Sequence, residues 1–267
     1  MPITCRHPIH PLTREEFGRL SFELMRDVFA IRNELGRFFD ERFYKQALAH
    51  RRQDVILEAP IEVSYQSFEK KYFMDVLFAT GSIVEFKATE SLTRRHKAQL
   101  IHYEMLAGLE HGLLINVRPE QVVKEFVNCP ISQAERFDFK VVTDDWPKGK
   151  DTLPGAQLFI EVLTQLLQDW GNCLELPLYE EALTHFLGGE ATVLRPVDVH
   201  FDGVKLGHQA MRLAAERVAF KLTAFDGTLN QERFIPNAHR LMEHTEIDAV
   251  LWANLARHEI TFRCLKL

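Results

Sequence analysis

Apolar residues Phe17, Leu20, Leu24, Val28 and Ile31 recur every three or four positions, which predicts an amphipathic helix over residues 14–34. Gly36 is placed to end it. Phe39, Phe43, Ala47 and Leu48 continue the helical spacing and predict a second helix that reaches about His50. The period then changes. Residues 55–57, 61–65, 72–78 and 82–88 are short runs rich in β-branched and aromatic residues, with Ala79-Thr-Gly-Ser82 as a hairpin turn. Thr93 is positioned to cap a further helix carrying Leu100, Met105, Leu106 and Leu109, and residues 112–117 and 122–127 read as strands. Helices, strands, a helix and strands in that order predict an α/β domain with a mixed central sheet flanked by helices. Residues 131–154, which include Asp144-Asp-Trp-Pro-Lys-Gly-Lys150, are polar and turn-rich and read as a linker or an elaborated loop.

Similar text returns further along. Tyr44-Lys-Gln-Ala-Leu-Ala-His50 has a counterpart in Tyr179-Glu-Glu-Ala-Leu-Thr-His185, and Ile83-Val-Glu-Phe-Lys-Ala-Thr89 in Arg217-Val-Ala-Phe-Lys-Leu-Thr223. Leu113-Leu-Ile-Asn116 likewise resembles Leu251-Trp-Ala-Asn254. Three matches in the same order at nearly constant offset predict an internal duplication. The expected division is a first domain over 1–130, a linker over 131–154 and a second copy over 155–267.

The net charge of -6 excludes a protein that coats nucleic acid through general basicity. The excess is uneven, because residues 1–130 carry equal numbers of acidic and basic side chains. A local phosphate-binding site is therefore compatible with the first half. The four cysteines show no CxxC spacing, so neither a zinc knuckle nor a disulfide framework is predicted, and a cytoplasmic setting is expected. No apolar run suggests a membrane span.

Within the predicted strands, Asp75 follows an apolar stretch, and Glu85 and Lys87 lie two residues apart and so share a face. A hairpin through Gly81 would bring Asp75 beside Glu85, where two carboxylates suit Mg²⁺ or Mn²⁺. Such an ion polarises a phosphodiester and activates water, while a lysine orients that water or meets developing charge. A solvated strand face or a structural ion pair from Lys87 to Glu85 or Asp75 is the plainer alternative. On the next helix, His96, Gln99 and Tyr103 form one stripe that could face this site, and Arg94, Arg95 and Lys97 supply local positive charge.

These residues resemble the GxxExxY family, a branch of the PD-(D/E)xK nuclease superfamily, over about residues 14–128. Glu34-Leu-Gly-Arg-Phe-Phe-Asp-Glu-Arg-Phe-Tyr-Lys-Gln-Ala-Leu48 is similar to its name-giving helix, and Asp75-Val-Leu with Ile83-Val-Glu-Phe-Lys-Ala88 to its core. His96-Lys-Ala-Gln-Leu-Ile-His-Tyr103 and Gly112-Leu-Leu-Ile-Asn-Val117 complete the match in order. The resemblance implies a restriction-endonuclease-like fold, and the internal duplication predicts that this fold is present twice, as a pseudo-dimer within one chain. It implies Asp75 and Glu85 as metal ligands, Glu41 as an additional helix acid near the metal, Lys87 as the catalytic lysine, and Gln99 and Tyr103 as the helix motif. Phe38 departs from it by standing at the motif's first glycine. In the second copy Ala219 falls at the place of Glu85, Leu176 at that of Glu41, and His239 near that of Gln99. Lys221 alone is retained, at the place of Lys87, and no aspartate near 208–212 stands for Asp75. The expected function is Mg²⁺-dependent cleavage of nucleic acid, DNA foremost, from one live site. The alternative is a non-catalytic nucleic-acid-binding or scaffold module on the same fold.

Overall fold

The computed structural model describes residues 2–147, 149 and 153–267, which divide into two compact units, 1–133 and 134–267. The expected linker residues Lys148 and 150–152 lie outside the described residues.

The first unit opens with β1 (Ile3–Cys5) and two helices, α1 (Arg14–Leu35) and α2 (Glu41–Arg51). Thr13 and Glu16 cap α1 reciprocally: the Thr13 side chain accepts the Glu16 N–H and the Glu16 carboxylate accepts the Thr13 N–H. Gly36, at φ +76°, ends the helix and donates its N–H to the Arg32 carbonyl. The next elements are β2 (Val55–Tyr65), β3 (Phe68–Phe78), β4 (Ser82–Lys87), α3 (Arg94–Ala107), β5 (His111–Asn116) and β6 (Val123–Asn128). The strands expected as short pieces over 55–65 form one continuous eleven-residue strand, because Pro60 sits in a long antiparallel ladder with β3 rather than ending it. Sheet order is β1-β2-β3-β4-β5-β6, with β4 and β5 parallel and every other pair antiparallel.

One face of this sheet packs on α1 and α2. Leu24, Met25, Val28 and Ile31 of α1 and Tyr44 and Leu48 of α2 close over Val76, Val84, Phe86, Leu113 and Ile115. Each is under 3% exposed, so burial of this apolar surface stabilises the unit at roughly 1.5–3 kcal/mol per side chain.

The second unit follows a similar order of elements, with one additional short helix and its first strand on the opposite edge of the sheet. A 3-10 turn (Glu135–Phe137) and β7 (Lys140–Val142) lead to α4 (Ala156–Trp170), α5 (Leu176–Phe186) and the short α6 (Glu190–Val193). Then come β8 (Leu194–Phe201), β9 (Val204–Ala215), β10 (Val218–Thr223), α7 (Thr228–Glu243), β11 (Ala249–Ala256) and β12 (Glu259–Lys266). Sheet order among the described residues is β7-β12-β11-β10-β9-β8, with β10 and β11 parallel. Residues 131–154 were expected as a linker or an elaborated loop without a strand of their own. Instead β7 pairs with β12, because its backbone completes an edge of that sheet.

Small contacts recur as well. The Tyr44 hydroxyl donates to the Gly36 carbonyl at 2.7 Å, and the Tyr179 hydroxyl donates to the Gly171 carbonyl at 2.6 Å. The Asn116 amide bridges the N–H and carbonyl of Thr89, as Asn254 bridges those of Phe225.

Buried Glu104 on α3 has no hydrogen-bond partner for either carboxyl oxygen, and burial pushes its pKa up to about 8. It is therefore mainly protonated at neutral pH in the folded chain. A group that holds its proton more tightly when folded contributes stability below its unfolded pKa, and that contribution is lost as pH rises towards the folded value. Urea unfolding of the native chain should show stability falling by up to about 1.4 kcal/mol per pH unit between about pH 5 and 8 on account of this group. Glu104→Gln should flatten that slope; an unchanged slope in the variant would show that Glu104 is not the source.

Candidate metal and catalytic site

The β3–β4 ladder runs from Phe78↔Ser82 through Val76↔Val84 and stops there. Beyond that point the Phe86 N–H lacks a β3 carbonyl, and the Asp75 carboxylate accepts it at 3.0 Å through Oδ2. Asp75 thus sits in the fork where the two strands part. Its other oxygen, Oδ1, accepts from Lys45 Nζ at 2.7 Å. On β4, Val84 and Phe86 point into the core with the helices, so the alternation of the strand turns Glu85 and Lys87 to the opposite face. The two side chains pair, Lys87 Nζ lying 2.6 Å from Glu85 Oε1.

Asp75, Glu85 and Lys87 therefore converge as the spacing predicts. Of the two ion pairs weighed for Lys87, the one to Glu85 forms, while Asp75 takes its ammonium from Lys45. Glu41 occupies the first turn of α2, one helical turn before Lys45, and lies close enough to feel Lys87, Asp75 and Lys45 electrostatically.

Lys45 and Glu58 were not legible as site residues. Lys45 is buried and bridges Asp75 and Glu58, the latter at 2.6 Å. Glu58 lies on β2 between Leu57, paired with Val76, and Ala59, paired with Met74, and so stands opposite Asp75. Its φ of +48° is left-handed, a conformation that a non-glycine residue holds only where its surroundings impose it. The one available signal was the four-residue spacing of Glu41 and Lys45 on a predicted helix.

The electrostatics follow from four carboxylates sharing two ammonium groups. Burial raises the pKa of Glu85, with repulsion from Asp75 in the same direction and the Lys87 ammonium opposing it. Burial likewise raises Glu41, with Lys87 opposing. Glu85 Oε2 is buried without a hydrogen-bond partner. A buried carboxylate oxygen aimed at no donor, beside a second carboxylate, is a donor set that fits a hard divalent cation. No group of three His, Cys, Asp or Glu side chains among the described residues is gathered tightly enough to hold a metal. The fit thus rests on the Asp75 and Glu85 pair with water completing the shell.

On α3 the expected stripe forms in part. Gln99 Nε2 donates to the Tyr103 hydroxyl at 3.3 Å, and the Tyr103 ring meets Tyr72 edge-on at 6.0 Å. His96 instead caps its own helix, its Nδ1 accepting the Thr93 N–H at 3.2 Å. Burial lowers its pKa, and the Lys87 charge adds to the effect.

In the second unit the strand register corrects the expected correspondence. Glu85 pairs with Leu114, two residues before Asn116, and Lys221 pairs with Trp252, two residues before Asn254. Lys221 therefore occupies the place of Glu85 and not that of Lys87, which Thr223 takes. The shared letters Phe-Lys thus stand two residues apart in the two sheets, an offset that keeps every side chain on its face and so leaves the apolar pattern unchanged. Lys221, Met211 and the Arg212–Glu180 ion pair (3.4 Å) border a cavity of about 260 Å³ there.

Breaking a buried ion pair leaves its partner charge uncompensated. Lys45→Met should destabilise the chain by roughly 3 kcal/mol in urea unfolding, since Asp75 would keep its burial and lose its ammonium. A loss below about 0.5 kcal/mol, the size of an exposed pair, would show that the Lys45–Asp75 contact is not a buried one.

Comparison with known proteins gave no match to a curated protein and none to a solved structure. A family model described as the PD-(D/E)XK nuclease superfamily matches residues 18–128, the segment that carries most of α1, all elements from α2 to β6, and Glu41, Asp75, Glu85, Lys87, Gln99 and Tyr103.

Proposed function

We propose that the first unit is a Mg²⁺- or Mn²⁺-dependent nuclease that hydrolyses phosphodiester bonds, DNA foremost, at the Asp75, Glu85 and Lys87 cluster. The observation that carries this reading is the convergence of the two carboxylates at the fork between β3 and β4, with one Glu85 oxygen buried and unbonded. A divalent cation held by Asp75 and Glu85 would polarise the scissile phosphate and lower the pKa of a bound water. Phe86 N–H and Lys45 fix the two oxygens of Asp75, so that carboxylate is oriented before substrate arrives. Lys87 Nζ, held at 2.6 Å from Glu85, keeps a positive charge where negative charge builds on the phosphate. Glu41 adds negative potential that supports cation binding, and Gln99 with Tyr103 supports substrate positioning from α3.

The second unit is read as a degenerate copy. Its similar element order, the paired tyrosine and asparagine contacts and the loss of the acids support duplication followed by loss of the metal site, leaving a pseudo-dimer in one chain. No helix among the described residues is long and apolar enough to cross a membrane. Cys5, Cys129, Cys173 and Cys264 form no disulfide, and a cytoplasmic setting is part of this proposal.

A second reading, a non-catalytic nucleic-acid-binding or scaffold module, is favoured by the lysine that each central acid already holds. Calorimetric titration with Mn²⁺ separates the two. The nuclease reading expects binding that Glu85→Gln abolishes, and absence of binding supports the module.

Cleavage of labelled DNA in Mg²⁺ should be lost in Asp75→Ala by at least about a hundredfold, the scale of a group acting on transition-state charge. Equal cleavage by both proteins would sink the assignment. Because Glu85 must release its proton to bind a cation and burial raises its pKa, cleavage should increase with pH well above the usual carboxylate range. A profile flat from pH 5 upward would contradict this role.

A further inference from the structure

The segment between α1 and α2 and the first turn of α2 place three phenylalanines at the surface within six residues. Phe38 is 78% exposed, Phe39 47% and Phe43 38%. Isolated exposed apolar residues need no explanation, but a cluster of rings beside a chemical site does. Phe39 and Phe43 meet edge-on at 5.7 Å, while the guanidinium groups of Arg37 and Arg42 lie 5.2 and 4.7 Å from the Phe38 and Phe43 ring centres.

The loop is fastened to the site. Arg118 donates through Nη1 to the Arg37 carbonyl and through Nε to the carbonyl of Ala88, the residue after Lys87. Glu41 follows Phe38 and Phe39 by three and two residues, so their backbone lies at most about 7–11 Å from that of the site acid, and Phe43 lies in the same first turn of α2 as Glu41. The anchoring leaves the rings turned outwards although the backbone beneath them is held.

We propose that Phe38, Phe39 and Phe43, with Arg37 and Arg42, form a base-stacking platform that receives single-stranded nucleic acid at the rim of the Asp75 and Glu85 site. The proposal rests on the nuclease reading for what happens to the strand, and not for its binding. Aromatic faces stack on any unpaired base, whereas in a duplex those base faces are already occupied by neighbouring bases. The arginines complement the backbone. Their carboxylate partners are highly exposed, Glu120 at 87% for Arg37 and Asp40 at 71% for Arg42, and exposed pairs of this kind are weak enough to yield to phosphate. Phe38 stands where the resembled motif has glycine, and it is the most exposed of the three rings.

The test is fluorescence anisotropy of the full chain carrying Asp75→Ala, without divalent metal, on a labelled oligothymidine and on a labelled duplex of equal length. Tighter binding to the single strand is expected. Phe38→Ala and Phe43→Ala should each weaken single-strand binding by about 5- to 100-fold. Duplex binding should stay unchanged, and Phe38→Trp should restore the single-strand affinity. Because these rings are exposed, an unchanged circular dichroism spectrum is expected for each variant. Equal affinity for both oligonucleotides, or variants that bind like the parent, would overturn the platform. A change in sedimentation mass with no change in binding would also overturn it, assigning the patch to contact between copies. If single-strand binding depends on the rings while the native chain cleaves nothing in Mg²⁺, only the nuclease reading fails. Cleavage that ignores the rings removes only the platform.

Discussion

The site depends on the point where β3 and β4 stop pairing. Each backbone N–H inside a sheet requires an acceptor, and the Phe86 N–H, left over where the ladder ends, takes the Asp75 carboxylate. That single bond sets one acid in the fork, beside Glu85 on the neighbouring strand. Two carboxylates in a partly buried fork repel, and the chain answers with Lys45 on one and Lys87 on the other. The balance is incomplete, since Glu85 Oε2 keeps no donor and its pKa is raised by burial. A cluster of this kind costs stability in the free chain, a cost that the proposed function would offset through cation binding.

The two units solve the same packing problem with a shared core of elements, two helices, three strands, a crossover helix and two strands. Parallel pairing of β4 with β5 and of β10 with β11 requires a crossover, supplied by α3 and α7. At the end of each parallel pair a buried asparagine satisfies the strand that turns away, Asn116 towards Thr89 and Asn254 towards Phe225. These contacts are needed for the fold and persist in both units. The acids are not needed for it, and where the first unit buries Glu85 the second carries an exposed Lys221 beside a cavity. Helix α7 buries only Ala238 and Met242, against four buried positions on α3, so it covers its sheet less completely and leaves that space.

Much of this was legible in the chain. The period of Phe17 to Ile31, the stop at Gly36 and the cap at Thr93 each depend on residues a few positions apart, and local geometry alone decides them. Continuity of β2 through Pro60 was not legible, because a proline ends a strand unless its missing N–H falls where the ladder does not need one. The place of β7 in the second sheet escaped for a related reason: three residues of Lys-Val-Val carry no period, and only β12 gives them a partner.

The sequence by itself determined which side chains share a face. Alternation puts Glu85 and Lys87 together, and helical spacing puts Glu41 with Lys45 and Gln99 with Tyr103, because these relations lie inside one element. Tertiary structure alone decided which elements become neighbours. It brought Lys45 to Asp75 across thirty residues of chain, turned Glu58 to stand opposite, and tied the Phe38 loop to Ala88 through Arg118. It also placed Lys221 at the position of Glu85, since a two-residue slip preserves every face and only the hydrogen-bonded register with β11 distinguishes the two alignments.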